Sequence, residues 1–183
     1  LQYHENLFIK TGSSTSAFNN ASNQMRISGG KAKGIKLRIP RGRPLRPAAE
    51  PVRERLFSSL GDFVSGAKFL DLFAGTGSYG LEALSRGAKS GVFIEQNINT
   101  VTCLRNNLTA VCKSANVSPE SFEVIRGDAL RAKPRLAGPF EIIFADPPYP
   151  ILMKIASKLF ARILVDGLAN KSSLLILELP GEV

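Results

Sequence analysis

Apolar positions along the chain switch between a period of two and a period near 3.6, and the switches mark out the elements. Phe69 to Phe73 form a short apolar run broken by one acid, Asp71, and predict a strand. Ser78 to Arg86 reads as a short helix closed by Gly87. Ser90 to Glu95 predicts the second strand. Val101, Leu104, Leu108, Val111 and Ala115 recur at spacings of three and four, which predicts a helix from Asn99 to Ala115. Ser121 to Arg126 is the third strand, and Ala129 to Leu136 is a short helix candidate broken at Pro134. Phe140 to Ala145 is an unalternated apolar run, as in a strand buried on both faces. Leu152, Ile155, Leu159 and Ile163 mark another helix, and Leu174 to Leu179 a fifth strand. Strands that alternate with helices in this way predict an α/β fold with a doubly wound, mainly parallel sheet.

The region before the first strand follows a different pattern. Residues 1–24 are rich in Ser, Thr, Asn and Gln with few periodic apolar positions. They are expected to be a flexible tail, a cloning remnant or the end of a targeting segment. Hydroxyl richness and low acid content leave a plastid transit remnant open, and Met25 looks like a natural start. Residues 25–66 form a second unit. Arg26 to Pro40 predicts a β-hairpin around a Gly/Lys turn. A loop stiffened by Pro44, Pro47 and Pro51 follows, and Pro51 opens a helix to about Leu60. Val52, Leu56, Leu60 and Phe63 mark the buried side of that helix, with Arg53 and Glu54 expected to be more exposed. Residues 67–183 are the main domain.

Charge changes the picture more than composition does. The 183 residues carry a net charge of +9, and residues 26–55 alone hold ten Lys/Arg against two acids, a local excess of +8. So concentrated a patch points to a polyanionic partner, most plainly nucleic acid. No apolar run approaches the roughly 18 residues of a membrane span. Cys103 and Cys112 would lie roughly 13 Å apart along one helix, too far for a disulfide, which fits a reducing compartment. No Cys/His spacing suits a metal. The single histidine, His4, lies in the tail, so neither histidine acid–base chemistry nor a Ser-His-Asp triad is available.

The candidate chemistry lies at the ends of the strands, where ligands of such sheets bind. Gly75-Thr-Gly77-Ser-Tyr-Gly80 is a G-x-G-x-x-G between a strand and a helix, the setting in which a backbone turn can approach a ligand closely. Glu95 stands 20 residues after Gly75, at the end of strand two, where a carboxylate can accept both hydroxyls of a ribose. NAD-binding folds share that pair. Asp71 separates the readings. A pyrophosphate gains nothing from an acid in that strand, whereas a cofactor carrying an ammonium and a sulfonium does. S-Adenosylmethionine is such a cofactor. Asp146-Pro147-Pro148-Tyr149 is more specific. Its prolines give a stiff turn with carbonyls and no competing N–H. The Asp carboxylate and a proline carbonyl can accept both N–H bonds of an exocyclic amine, freeing its lone pair, while the tyrosine stacks on the base.

With MRISGGKAKG, LRP at 45–47, VRERLF at 52–57, DLFAGTGSYGLEALSRGA at 71–88, IE at 94–95, GDA at 127–129 and DPPY in order, the chain from Met25 onward resembles the RsmD family. These are Rossmann-like class I methyltransferases that act on the N2 amine of one guanine in 16S-type rRNA with S-adenosylmethionine. The resemblance implies that Asp71 and the turn Ala74, Gly75, Thr76 and Gly77 hold the methionine part of the cofactor. It implies that Glu95 holds the ribose, that Gln96 belongs to the cofactor site, and that Asp128 and Ala129 hold the adenine. Asp146, Pro147 and Pro148 would orient the guanine amine, and Tyr149 would stack on the base. Arg26, Lys31, Lys33, Arg46 and Arg53 would face the RNA, a small-subunit rRNA either free or in an assembled particle, bound by a monomer. Two departures stand out. Ala48 and Ala49 replace a threonine usual after LRP, and the family continues past the fifth strand with a β-hairpin, whereas this sequence ends at Val183. The expected compartment is bacterial cytoplasm, or a plastid stroma in a eukaryote. An adenine-N6 methyltransferase of DNA or RNA is the alternative, since DPPY suits that amine too. A protein-glutamine methyltransferase, an NAD-dependent dehydrogenase and a non-catalytic RNA-binding module are the further contenders.

Overall fold

Successive residues of a strand point to opposite faces, and here both faces are apolar. Phe69, Phe93, Ile142, Phe144 and Ile176 enter one core, while Leu70, Val92, Ile94, Ile143, Ala145 and Leu177 enter another. A sheet with two greasy faces must be covered on both, which favours parallel strands joined by helices. The computed structural model describes residues 25–40 and 49–178. Its elements are α1 (Ala49–Leu60), β1 (Lys68–Asp71), α2 (Ser78–Ser85), β2 (Ser90–Glu95), α3 (Ile98–Ala115), β3 (Phe122–Arg126), β4 (Ile142–Ala145), α4 (Tyr149–Val165) and β5 (Leu174–Leu177). All strand pairs are parallel, in the order β3-β2-β1-β4-β5. Leu56, Phe57 and Leu60 of α1, Leu81 and Leu84 of α2, and Leu104, Leu108 and Val111 of α3 cover the first face. Leu152, Leu159 and Ile163 of α4 cover the second.

The strand order matters for function. The chain runs outward from β1 through β2 to β3 and then returns to place β4 on the other side of β1. The direction of winding reverses between β1 and β4, and that reversal opens a crevice at the carboxyl ends of the two strands. The doubly wound parallel sheet expected from the sequence is thus the observed one, and Ile142 to Ala145 are buried throughout as an inner strand requires.

Residues 25–40 fold back on themselves. Arg26 and Lys36 form an antiparallel bridge, with Ile27 N donating to Ile35 O at 2.9 Å and Leu37 N to Met25 O at 2.8 Å. Ile27, Ala32 and Leu37 point into the core, while Arg26, Lys31, Lys33, Lys36 and Arg38 are exposed. This basic arm is fastened to the sheet domain through Glu82 on α2, which is fully buried. Glu82 accepts hydrogen bonds from Ser28 N and Ser28 Oγ, both at 2.8 Å, from Arg86 Nε at 2.9 Å and from Arg53 Nε at 3.3 Å. Four donors thus surround one carboxylate, about the number its lone pairs can take.

That cluster corrects one expectation. Arg53 is not on an exposed, RNA-facing side of its helix: it is 1% exposed, paired with Glu82, and its Nη2 donates to Arg26 O at 2.6 Å. The apolar stripe of α1 is wide enough to take in position 53, one turn before Phe57. Three other details differ. Phe63 is 46% exposed, because the chain leaves α1 for a 3-10 turn at Gly61–Val64 and the stripe ends there. The helix begins at Ala49, before Pro51, as proline tolerates the first turn. Residues 129–136 make a single turn and then a loop, since Pro134 cannot continue a helix and the Arg135 and Leu136 N–H groups donate to Glu123.

Removing the hub should expose its role. Glu82→Ala leaves the buried Arg53 and the half-buried Arg86 without their carboxylate and is expected to cost about 3–5 kcal/mol in chemical denaturation. Glu50→Ala, which breaks only the exposed pair with Arg26 (2.9 Å), is expected to leave the midpoint nearly unchanged.

Candidate active site

Each of the five strands leads to a carboxylate: Asp71 closes β1, Glu95 closes β2, Asp128 follows β3, Asp146 follows β4 and Glu178 follows β5. The alternation of β1, β2, β4 and β5 carries Asp71, Glu95, Asp146 and Glu178 to the face covered by α2, the face of Phe69, Phe93, Phe144 and Ile176. The local reason for the turn after β1 is visible in its hydrogen bonds. Leu72 N donates to Phe144 O and Ala74 N to Ile94 O, both at 3.0 Å, so the chain after Asp71 stays anchored to both neighbouring strands. Gly77 N then donates to Ala74 O at 2.7 Å and closes the turn.

Two glycines of the motif do different things. Gly75 has φ of 55°, a left-handed conformation that side chains resist, and a Cβ there would meet nothing within 4 Å. The space over the turn is open. Gly80 is crowded instead: a Cβ would lie 2.3 Å from the Phe93 ring and 2.6 Å from that of Phe69. It lets α2 pack closely on the sheet.

Asp71 is buried, and its Oδ2 accepts from Gly80 N at 3.1 Å, capping the first turn of α2. Burial pushes its carboxyl up to about 7; the Gly80 N–H counteracts this in part, and the charges of Asp146 and Glu95 push further. The three acids that the sequence singled out therefore share one electrostatic neighbourhood. Glu95 binds the turn directly, with Oε2 accepting from Gly75 N at 2.9 Å and Oε1 from Asn97 N at 2.8 Å. Gln96 is exposed beside it, and Thr76 is half-buried. Asp128 is exposed and accepts from Leu130 N at 2.8 Å, while Ala129 is buried. Asp146 is half-buried, Pro147 buried and Pro148 exposed at the entrance to α4. Tyr149 opens α4, and its side chain lies outside the described residues, as does the whole of Arg46.

Two residues that the sequence reading passed over belong to this region. Asn107 on α3 is buried, and its Nδ2 donates to Thr76 O and to Arg38 O, both at 3.0 Å, while its Oδ1 accepts from Arg38 N at 2.7 Å. It ties the glycine turn to the end of the basic arm. A polar residue at position 107, beside Leu104, Leu108 and Val111 on an apolar helix face, is the signal that could have found it. Glu178 falls inside the fifth strand expected from the sequence, whereas the strand ends one residue earlier, at Leu177.

A family model described as Conserved hypothetical protein 95 matches residues 25–183. The chain is similar to ribosomal RNA small subunit methyltransferase D of Escherichia coli (strain K12), with 39% identity over 128 residues, 70% of this chain and 62% of the relative. It is similar to the protein of that name from Haemophilus influenzae, with 36% identity over 132 residues, 71% of this chain and 66% of the relative. It thus spans less than two thirds of the length of either. Among solved structures, yhhF from Escherichia coli superposes with a TM-score of 0.67 at 31% identity, covering 80% of this chain and 75% of that one. A Thermus thermophilus protein does so with a TM-score of 0.60 at 30% identity, covering 80% of each.

The Asp71 environment makes a prediction about pH. Its folded pKa of about 7 lies above its ordinary 3.8, so the folded chain holds this proton more tightly than the unfolded one. The associated stability is complete below pH 3.8 and is lost as pH rises through about 7. Compared with Asp71→Asn, which keeps an acceptor for Gly80 N, the native chain is expected to lose about 4 kcal/mol between pH 4 and pH 8. Urea unfolding of both proteins across that range measures the difference.

Proposed function

Because the chain belongs to the RsmD family, we propose that it transfers a methyl group from S-adenosylmethionine to the exocyclic N2 amine of a guanine in small-subunit rRNA. The observation that carries the reading is the rim of mutually repelling acids, Asp71, Glu95 and Asp146, beside open space over Gly75. A cationic ligand is what such a rim lacks.

The cofactor, when bound, supplies an electrophilic methyl on a sulfonium. The residues present suit it. Asp71 and the turn from Ala74 to Gly77 would hold the methionine part, with Asp71 answering its positive charge. Glu95 spends one hydrogen bond per oxygen on Gly75 and Asn97, and a carboxylate has about four acceptor sites, so both ribose hydroxyls can still be accepted. Gln96 would sit beside that sugar. Asp128 and the backbone of Ala129 would take the adenine. On the substrate side, the Asp146 carboxylate and the Pro147 carbonyl would accept the two N–H bonds of the target amine and turn its lone pair toward the methyl. Pro148 would stiffen that turn, and Tyr149 would stack on the base. The exposed Arg26, Lys31 and Lys33, together with Arg46, would grip phosphates. The base must leave its stack to reach the crevice. Acceleration would come mainly from positioning, and solvent can take the amine proton after transfer. An rRNA substrate would put the protein where ribosomes assemble, bacterial cytoplasm or plastid stroma.

The test combines base mapping with one substitution. Small-subunit rRNA, free and as assembled particles, is incubated with the chain and labelled S-adenosylmethionine, and the modified base is identified by mass spectrometry. The label is expected on guanine N2. Label on adenine N6 would favour the alternative enzyme. Asp146→Ala is expected to lower transfer at least about a hundredfold while leaving S-adenosylhomocysteine binding intact by calorimetry. Tight binding of NADH with no response to S-adenosylhomocysteine would end the proposal.

A further inference from the structure

The acid that follows β5 stands in the same crevice as Asp146. Glu178 N donates to Ala145 O at 3.0 Å, so the β4–β5 ladder continues one step past the strands and sets the two acids side by side. Tyr79, the fifth residue of the glycine motif, reaches across from α2 and donates its hydroxyl to Glu178 Oε2 at 2.7 Å. The tyrosine is itself fixed: its ring stacks on Phe144 with centroids 5.6 Å apart and planes 19° apart. Burial, with the adjacent Glu178 charge, drives the Tyr79 hydroxyl pKa well up, so tyrosine is the donor and the glutamate the acceptor. Tyr79, Phe144, Ala145, Asp146, Ile176 and Glu178 line a shallow indentation with room for about one water molecule. One wall is aromatic and apolar, and the rim carries two carboxylates.

The second carboxylate has no part in the transfer described above. Its chemistry fits the atom next to the amine. In guanine, N1 beside the C2 amine carries a hydrogen; in adenine, N1 beside the C6 amine carries a lone pair. We propose that Glu178 is the residue that selects guanine. Held by Tyr79 through one oxygen, its carboxylate accepts the N1–H of the base whose amine Asp146 orients, and it repels a base presenting an N1 lone pair. A carboxylate can accept both bonds, because the tyrosine uses one of about four acceptor sites. The inference rests on the guanine-N2 reading and deepens it: Asp146 and the prolines suit any exocyclic amine, and Glu178 supplies the discrimination they lack.

2-Aminopurine separates the two readings, since it keeps the C2 amine of guanine but has a lone pair at N1. Fragments of small-subunit rRNA are made with guanine, 2-aminopurine or adenine at the position mapped as above, and kcat/KM is measured for each. The native chain is expected to prefer guanine over 2-aminopurine by at least about a hundredfold, as a site built around a donor rejects an analogue lacking it. Glu178→Gln is expected to shrink that ratio at least tenfold, because an amide can turn either its oxygen or its NH₂ toward N1. S-Adenosylhomocysteine binding serves as the check that the variant is folded. Equal use of guanine and 2-aminopurine by the native chain overturns the role of Glu178 and leaves the guanine reading standing. A ratio that Glu178→Gln does not move overturns it too. Transfer to adenine alone, or to none of the three, overturns the guanine reading itself. Because 2-aminopurine also lacks O6, a second variant, Glu178→Asp, which keeps the carboxylate, is expected to retain more of the preference than Glu178→Gln, and equal ratios for the two variants overturn the role.

Discussion

Like charges gathered at one end of a parallel sheet are the constraint around which the rest of this protein is arranged. Parallel strands send all their carboxyl ends to one rim, so any acids placed at strand ends must face one another. Here Asp71 is buried between Asp146 and Glu95, with a single backbone N–H from Gly80 among the causes that favour its charge. Burial alone would disfavour the anion, and the neighbouring acids add to it. A fold gains no stability from such an arrangement. Under the proposed function the acids would answer a positive ligand, and the glycine turn that lies open over Gly75 would give such a ligand somewhere to sit.

Glu82 shows the opposite solution to the same problem. It is as buried as Asp71, but it is satisfied within the chain by Arg53, Arg86 and two donors from Ser28. A buried ion pair of this kind seldom raises stability over a well-packed apolar core. What it fixes here is position: Ser28 belongs to the basic arm, Arg53 to α1 and Glu82 to α2, so one carboxylate sets the arm against the sheet domain. Asn107 does the same at the other end of the arm, joining Arg38 to the carbonyl of Thr76 in the glycine turn. The exposed cations of residues 26–38 are therefore held in a defined relation to the crevice.

The sequence spoke most clearly where one residue's neighbours along the chain decide its state. The strands, most of α3 and the parallel, doubly wound class of the sheet follow from period and from turn residues, whereas the Asn97 cap and the strand order came from the structure. Asp71, Glu95 and Asp146 could be placed because a parallel sheet brings strand ends together. Arg53 could not be read correctly, because its partner, Glu82, lies 29 positions away and no local pattern advertises it. As an arginine beside an acid, in a region rich in cations, it looked like surface. Glu178 was hidden for a different reason: an apolar run ending in LELP does not say where pairing stops, and a shift of one residue moves an acid from the strand to the rim. Its tie to Tyr79 spans 99 positions, and only packing brings the two together.

The two charge populations also differ in how water and salt treat them, and this explains why they are kept apart. Arg26, Lys31, Lys33, Lys36 and Arg38 are exposed, so their attraction for a polyanion is strong at low ionic strength and screened beyond roughly 8 Å at physiological salt. Asp71 is buried, and its interaction with a cation is screened far less. Were the arm's cations to reach the crevice, they would neutralise the acids and remove the attraction proposed for a positive ligand. Were the acids at the surface, they would repel the phosphates that the arm is proposed to bind. Glu82 holds Arg53 and Arg86 where the arm is fastened, although the Arg53 charge is still felt at Tyr79 in the crevice. A buried cluster that seldom improves on an apolar core thus helps to hold two charge populations in place: Asp71, Glu95 and Asp146 buried or half-buried at the strand ends, and exposed cations along the arm.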